Sequence, residues 1–328
     1  MEITQFGPDD RVPLQGMVDV ANATIAVDAP WSHPATMTSY DGMLRNGWDG
    51  EPSVPFLATV DGLPVAYATY GTSEWDNLEL AWVGVEVHPA HRRRGHGTAL
   101  LEFLLDRARA EGRTSVGTDA WESEAARAFT ARHGLEQKSQ AINRRQVLAD
   151  VDWNVVRGLH DHAGAGAADY ELVRRIGFTP DDELDKLAEM TAAINDAPTD
   201  DLEIEDEVFT GERVRNYEHA QLSSGGRLHR LMARNRTTGE LAGQSVVVVE
   251  SERPWIGHQH DTSVVRAHRG HRLGLVLKSA MLLWLHEVEP QLAAIDTWNA
   301  ESNDYMISVN EQLGYRVMGR EVQYQRGL

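Results

Sequence analysis

The sequence predicts an α/β (α+β) chain made of two similar domains, each a mixed sheet flanked by helices. Three observations carry this. A basic, glycine-punctuated turn occurs twice, as His91-Arg92-Arg93-Arg94-Gly95-His96-Gly97 and as His268-Arg269-Gly270-His271-Arg272-Leu273-Gly274. Each copy follows a strand-like segment, at residues 83–87 and 262–265, and opens directly into an apolar helix pattern. The features on either side of the turns recur in the same order in both halves.

Upstream of the first turn, residues 56–60 and 63–67 read as a hairpin around Asp61-Gly62. Its counterpart is residues 231–234, the turn Thr237-Thr238-Gly239, and Leu241-Ala242 running on into the valines at 246–249. Gly62 precedes Arg92 by the same interval as Gly239 precedes Arg269. The helices that follow the turns carry Leu101, Leu104, Leu105 and Ala108 in one half and Leu277, Ala280, Met281, Trp284 and Leu285 in the other. That spacing marks core-facing positions. Downstream, a helix ends at Gly134 and at Gly314, each followed by an apolar strand start. Residues 142–148 read as the last strand of the first domain. The glycine-rich run at 158–168 reads as linker, and the acidic run at 200–207 as a solvated loop or helix face. The expected organisation is a first domain at 1–155, a linker at 156–168 and a second domain at 169–328.

Composition narrows the chemistry. With 328 residues and 41% hydrophobic content the chain can bury two cores. It has no cysteine, which removes disulfides, thiolate metal sites and a cysteine nucleophile. A net charge of -19 argues against nucleic acid as a partner. The N-terminal residues do not read as a signal peptide, and no apolar run approaches the roughly 20 residues that cross a bilayer. The expectation is a cytoplasmic protein without a membrane partner. Within this acidic chain Arg92, Arg93 and Arg94 form a local positive island. A strand, a turn with exposed amides and a helix N-terminus together favour an anion, so the doubled turn points to a phosphate-bearing ligand. The acidic remainder would attract a cationic substrate such as an amine.

At these residues the chain resembles the GNAT superfamily of N-acetyltransferases in a tandem form. The family signature is Gln or Arg, two residues, Gly, one residue, then Gly or Ala. Arg92 through Gly97 fits it fully. The resemblance implies two acyl-CoA N-acyltransferase domains, each with a mostly antiparallel sheet, and acetyl-CoA as co-substrate. It implies that the amides of Arg93, Arg94, Gly95, His96, Gly97 and Thr98 hold the pyrophosphate, with Arg92 to Arg94 serving phosphates. Backbone groups of Val85 and Val87 would meet the pantetheine arm. In the second copy Arg269, Gly270, His271, Leu273 and Gly274 correspond, but Arg272 stands where the signature wants its first glycine. Its side chain either crowds the cradle or grips a phosphate. Asn303, near the start of the last helix, matches an asparagine with which family members contact pantetheine; the alternative is a helix cap. Two-domain relatives include the mycothiol synthases, whose second signature is the more glycine-rich. Here the complete copy lies in the first half, so that substrate is not assigned.

Acyl transfer to an amine needs a base, stabilisation of the oxyanion and a proton for the thiolate. Many relatives place a tyrosine four residues before the helix-terminal glycine as the acid. Thr130 and Asn310 occupy those positions. Glu86, on the strand entering the first turn, is the candidate base, although alternation sets it on the face opposite Val85 and Val87. His260 is the alternative in the second half by virtue of its ordinary pKa. The histidine pairs His160/His162 and His258/His260 lack further ligands, so no metal is expected. Trp31, Trp48, Trp75 and Tyr40, with Asp41, Asp49 and Glu51, are candidates for an acceptor pocket or for core. The expected activity is transfer of acetyl from acetyl-CoA to a small-molecule amine by direct attack in a ternary complex, by a monomer or homodimer. The alternatives are a non-catalytic acyl-CoA sensor and an acetyltransferase acting on protein N-termini or lysines.

Overall fold

The computed structural model describes residues 1–328 and separates into two compact units. The first comprises Met1–Ala141, Thr199–Asp206 and Gly319–Leu328; the second comprises Ile142–Pro198 and Glu207–Met318.

The first unit runs β1 (Glu2–Gln5), α1 (Arg11–Asp28), α2 (Met37–Asn46), β2 (Val54–Val60), β3 (Leu63–Gly71), β4 (Leu80–Val87), α3 (His96–Ala110), β5 (Ser115–Trp121) and α4 (Glu124–Arg132). The chain then enters β6 (Glu136–Val147). Strands β1 to β4 pair antiparallel in sequence order, and β4 pairs parallel with β5. The expected hairpin forms at Asp61-Gly62, both with positive φ. Strand alternation divides the sheet into two chemically distinct faces. Ala81 and Val83 of β4 pack with Leu100, Leu101, Leu104 and Leu105 of α3. Leu57 and Tyr67 on the other face pack with Leu14, Met17 and Val20 of α1.

The second unit runs α5 (Trp153–Gly164), β7 (Tyr170–Ile176), α6 (Leu184–Thr191), α7 (Gly211–Ser223), β8 (Gly226–Asn235), β9 (Leu241–Glu250), β10 (Ile256–Val264), α8 (Leu273–Val288), β11 (Ala294–Ala300) and α9 (Asp304–Gln312). The chain then enters β12 (Arg316–Gly327). Here β7 to β10 pair antiparallel and β10 pairs parallel with β11. The apolar stripe of α8 is buried, Trp284 and Leu285 included.

The structure departs from the sequence expectations in two places. The run read as linker is mostly helix α5. Asp152 caps it by accepting from Asn154 and Val155, Val156 and Ala163 are buried, and Trp153 stacks on His286 at 3.8 Å. Its small residues therefore permit close packing on α8 rather than flexibility. Second, the last strands are exchanged. Residues from Ile142 onward belong to the second unit, where Arg145 donates twice to Asp296, at 2.6 and 2.8 Å. In return β12 pairs antiparallel with the whole of β5, and Val322 and Tyr324 enter the first unit's core. The acidic run is an exposed loop, as read from the sequence, and is pinned to the first unit. Glu203 N–H donates to Gln325 at 2.7 Å, and Asn77 and Glu205 exchange two bonds of 2.8 Å.

Candidate active site

The first basic turn sits between β4 and α3. Arg93 and Gly95 both adopt left-handed backbone, at φ 63° and 88°. That alternation turns consecutive amides toward one point, and the helix dipole adds to the attraction for an anion. The helix's first closing bond is from Ala99 N–H to the Gly95 carbonyl at 3.0 Å, so the amides of His96, Gly97 and Thr98 lie ahead of the ladder. A Cβ on Gly97 would stand 3.3 Å from Phe129 and 3.4 Å from Val87. The cradle has room for backbone there and little else.

The three arginines do different work. Arg92 turns inward: its Nε donates to the Val87 carbonyl at 3.1 Å, and its two Nη atoms grip the Asp28 carboxylate. It ties the turn to the strand and to the end of α1, so its charge is already met. Arg94 donates to the Ala90 carbonyl at 3.1 Å. Arg93 is exposed and lines the cavity beside the turn. Of the island read from the sequence, Arg93 is the cation left facing that space.

The cavity exists because β4 and β5 separate. They pair only over Leu80 with Ser115, Ala81 with Val116 and Trp82 with Gly117. Beyond that point β4 keeps its β3 neighbour but leaves its other edge open, which is where Val85 and Val87 present backbone groups. The gap is a cavity of about 640 Å³, lined by Val85, Glu86, Val87 and the turn on one side and by Thr118, Asp119 and Trp121 on the other.

Glu86 lies on the face of α1, as alternation requires, yet reaches the same cavity. Burial pushes its carboxyl pKa up, the Thr24 hydroxyl opposes this, and Asp28 adds to it. Two acids that the sequence does not single out lie near. Asp119 accepts from the Trp82 indole N–H at 2.8 Å, and that ring lies across Gly117, where a Cβ would stand 2.3 Å from it. Glu321, on β12, is pushed up to about 9 by burial, by Asp119 and by Glu86. No local pattern marks Glu321; it joins the cluster only once β12 pairs with β5. Tyr40 and Tyr67, 3.4 Å apart through their hydroxyls, and the edge-on pair Trp31 and Trp121 complete the aromatic part of this face. Other members of the expected pocket are occupied elsewhere: Asp41 pairs with Arg11 and Arg45, Glu51 accepts from Glu74 N–H, and Trp48 is exposed.

The second turn copies the first in backbone. Gly270 and Arg272 take the left-handed positions at φ 89° and 58°, so the glycine has moved from the third of these turn residues to the first. Arg269 repeats Arg92, donating to the Val264 carbonyl at 3.0 Å and to Asp196 at 2.6 Å. Arg272 therefore does not distort the turn. The difference lies above it. Tyr305 of α9 stands where α4 carries Ala125, and a Cβ on Gly274 would be 3.0 Å from its hydroxyl. Leu273 is buried in the core and His271 faces the Gly166 carbonyl at 3.3 Å. Asn303 caps α9, accepting from Met306 N–H at 3.2 Å, so its carbonyl oxygen serves the helix. His260 lies at a bulge in β10, its Nδ1 2.6 Å from the Tyr217 hydroxyl. Burial and the nearby His258 and Arg230 push it down to about 3, too acidic to take a proton from an amine at neutral pH. His160 and His258 contact Ser279 and Glu250 respectively.

The model of the acetyltransferase (GNAT) family matches residues 23–135, which hold the first turn, the fork and Glu86. A solved tandem GNAT protein from the clavulanic acid biosynthesis pathway is 26% identical, with a TM-score of 0.83 over 99% of this chain and 98% of that one. Residues 23–135 thus match the GNAT family, and the whole chain shares the fold of that tandem GNAT protein. Two curated GNAT relatives are mycothiol acetyltransferases. That of Amycolatopsis mediterranei is 30% identical over 142 residues, and that of Kineococcus radiotolerans 39% over 100 residues. The matched segments cover 42% and 29% of this chain, and 44% and 32% of those relatives. GNAT acetyltransferases are acetyl-CoA-dependent acyltransferases.

Proposed function

We propose that the chain transfers acetyl from acetyl-CoA to the primary amine of a small molecule, by direct attack in a ternary complex, at one site in the first unit. The observation that carries this is the cavity at the β4–β5 fork, which joins the anion-binding turn to a carboxyl and aromatic cluster on the α1 face. The co-substrate's pyrophosphate would lie on the amides of His96, Gly97 and Thr98, with Arg93 beside it. The open edge of β4 offers hydrogen bonds to the pantetheine amides and holds the thioester at the fork. Glu86 takes the proton as the amine attacks, and its raised pKa brings it closer to neutrality, where a base works best. Asp28, Glu86 and Asp119 favour a cationic acceptor on approach. The mycothiol acetyltransferase relatives support a small-molecule acceptor. Tyr305 against Gly274 supports a single cofactor site per chain.

Calorimetric titration with acetyl-CoA tests the site. Gly97→Trp is expected to abolish binding and Arg93→Glu to weaken it about tenfold, the scale of one charge-assisted bond. The thermal midpoint of each variant checks that the fold is intact. Unchanged affinity in both folded variants contradicts the assignment. Thiol release with a panel of primary amines tests the chemistry; binding without turnover would instead favour a sensor.

A further inference from the structure

An acetyl transfer that ends in a thiolate needs a proton donor, and the position expected to supply one is spent. Thr130 donates its hydroxyl to the Ala126 and Arg127 carbonyls, at 2.9 and 3.2 Å. Another group at the fork is better placed. Asp119 is exposed and lines the cavity, and the Trp82 indole holds one of its oxygens. In the β5–β12 register Asp119 lies opposite Gln323 and Trp121 opposite Glu321, so Asp119 and Glu321 are diagonal neighbours. Alternation sets both on the face opposite the buried Val322 and Tyr324, the face that carries Glu86. Burial, Asp119 and Glu86 all push the Glu321 carboxyl up. Two carboxyl groups this close on one face of the sheet do not both ionise readily, so one proton stays on the pair.

We propose that Asp119 and Glu321 are the proton store of the first unit's site. Asp119 gives the shared proton to the departing sulfur, and Glu321, a positioning residue behind it, keeps that proton on the pair. This rests on the acetyl-transfer reading above. The amine nitrogen forms a bond to the acetyl carbon and gives a proton to the Glu86 carboxylate. The carbon–sulfur bond breaks with its electrons on sulfur, which takes the proton from Asp119. The proton on Glu86 then returns to the pair, leaving amide, free thiol and the starting protonation state. Groups facing the pair are Glu86 from β4 and the Trp82 indole; Glu86 is faced in turn by Asp28, Arg92, Thr24 and Tyr67. Burial and the neighbouring carboxyls raise Glu321 to about 9, so the pair still carries its proton at neutral pH.

The test uses the full chain with acetyl-CoA and a panel of primary alkylamines, comparing wild type with Glu321→Gln and Asp119→Asn. Wild-type kcat is expected to fall as pH rises through about 9, where the pair loses its proton. Both variants are expected to lose that limb and roughly 10²-fold in kcat, with KM for acetyl-CoA little changed. Carbon NMR of labelled carboxyl groups in the free protein is expected to show one group titrating near 9, absent from Glu321→Gln. A high-pH limb that persists in Glu321→Gln, or no carboxyl titrating there in wild type, overturns the proposal. A wild-type protein that shows the titration yet acetylates no amine overturns the acetyl-transfer reading, and the pair's catalytic part with it.

Discussion

Glu321 has a thermodynamic consequence that a purely surface carboxylate would lack. Its folded pKa of about 9 stands above the ordinary 4.5, so the folded chain holds a proton that the unfolded chain releases between those values. The stability from this group is full below about 4.5 and is lost as pH rises through about 9. Thermal unfolding of wild type and Glu321→Gln across roughly pH 5 to 9 checks the sign: the wild-type midpoint should fall relative to the variant's as pH rises. Residues differ sharply in how far the sequence reveals them. Glu86 can be named from the sequence because it lies between Val85 and Val87 on the strand that enters the basic turn. Glu321 cannot, because its role depends on pairing with a strand from the far end of the chain. Arg92 is legible as part of a basic island but not as a brace, since Asp28 sits on another element.

At the scale of elements, the two turns show that a signature is a backbone shape before it is a string of residues. Matching residue types makes Arg272 look like a defect, whereas the φ values show Gly270 and Arg272 repeating the left-handed pair of Arg93 and Gly95. Holding a side chain in that region costs roughly 1–2 kcal/mol, and glycine returns part of this through its freer unfolded state. Arg272→Gly is therefore expected to raise stability by at most about 1 kcal/mol, read by chemical denaturation. It should leave one bound acetyl-CoA per chain, because Tyr305 still covers Gly274. The helix stripes, the hairpin at Asp61-Gly62 and the glycine-closed helix ends are all readable, since each depends on neighbours in sequence. The linker reading fails because small residues suit both a flexible segment and a closely packed helix.

For the molecule as a whole, the duplication is readable and the exchange of last strands is not. Periodicity tells which face of a strand is buried, but not which sheet edge receives it. Both β6 and β12 satisfy the pattern of a closing strand, and the pairing of β12 with β5, with Val322 and Tyr324 packed against Val116, shows that β12 closes the first unit. It follows that residues 1–155 do not make an independent domain. Expressed alone, that fragment lacks the antiparallel partner of β5 and two core side chains, each worth about 2–5 kcal/mol. It is expected to unfold without a cooperative transition and to bind no acetyl-CoA; a folded, binding fragment would count against the exchange. The proposed single site at the β4–β5 fork is tested most directly by a crystal structure of the full chain with acetyl-CoA. We expect one molecule per chain, its pyrophosphate on the amides of His96 to Thr98 and its thioester beside Glu86 and Asp119. A molecule seated on the N-terminus of α8, or a thioester remote from Glu86, would contradict that assignment.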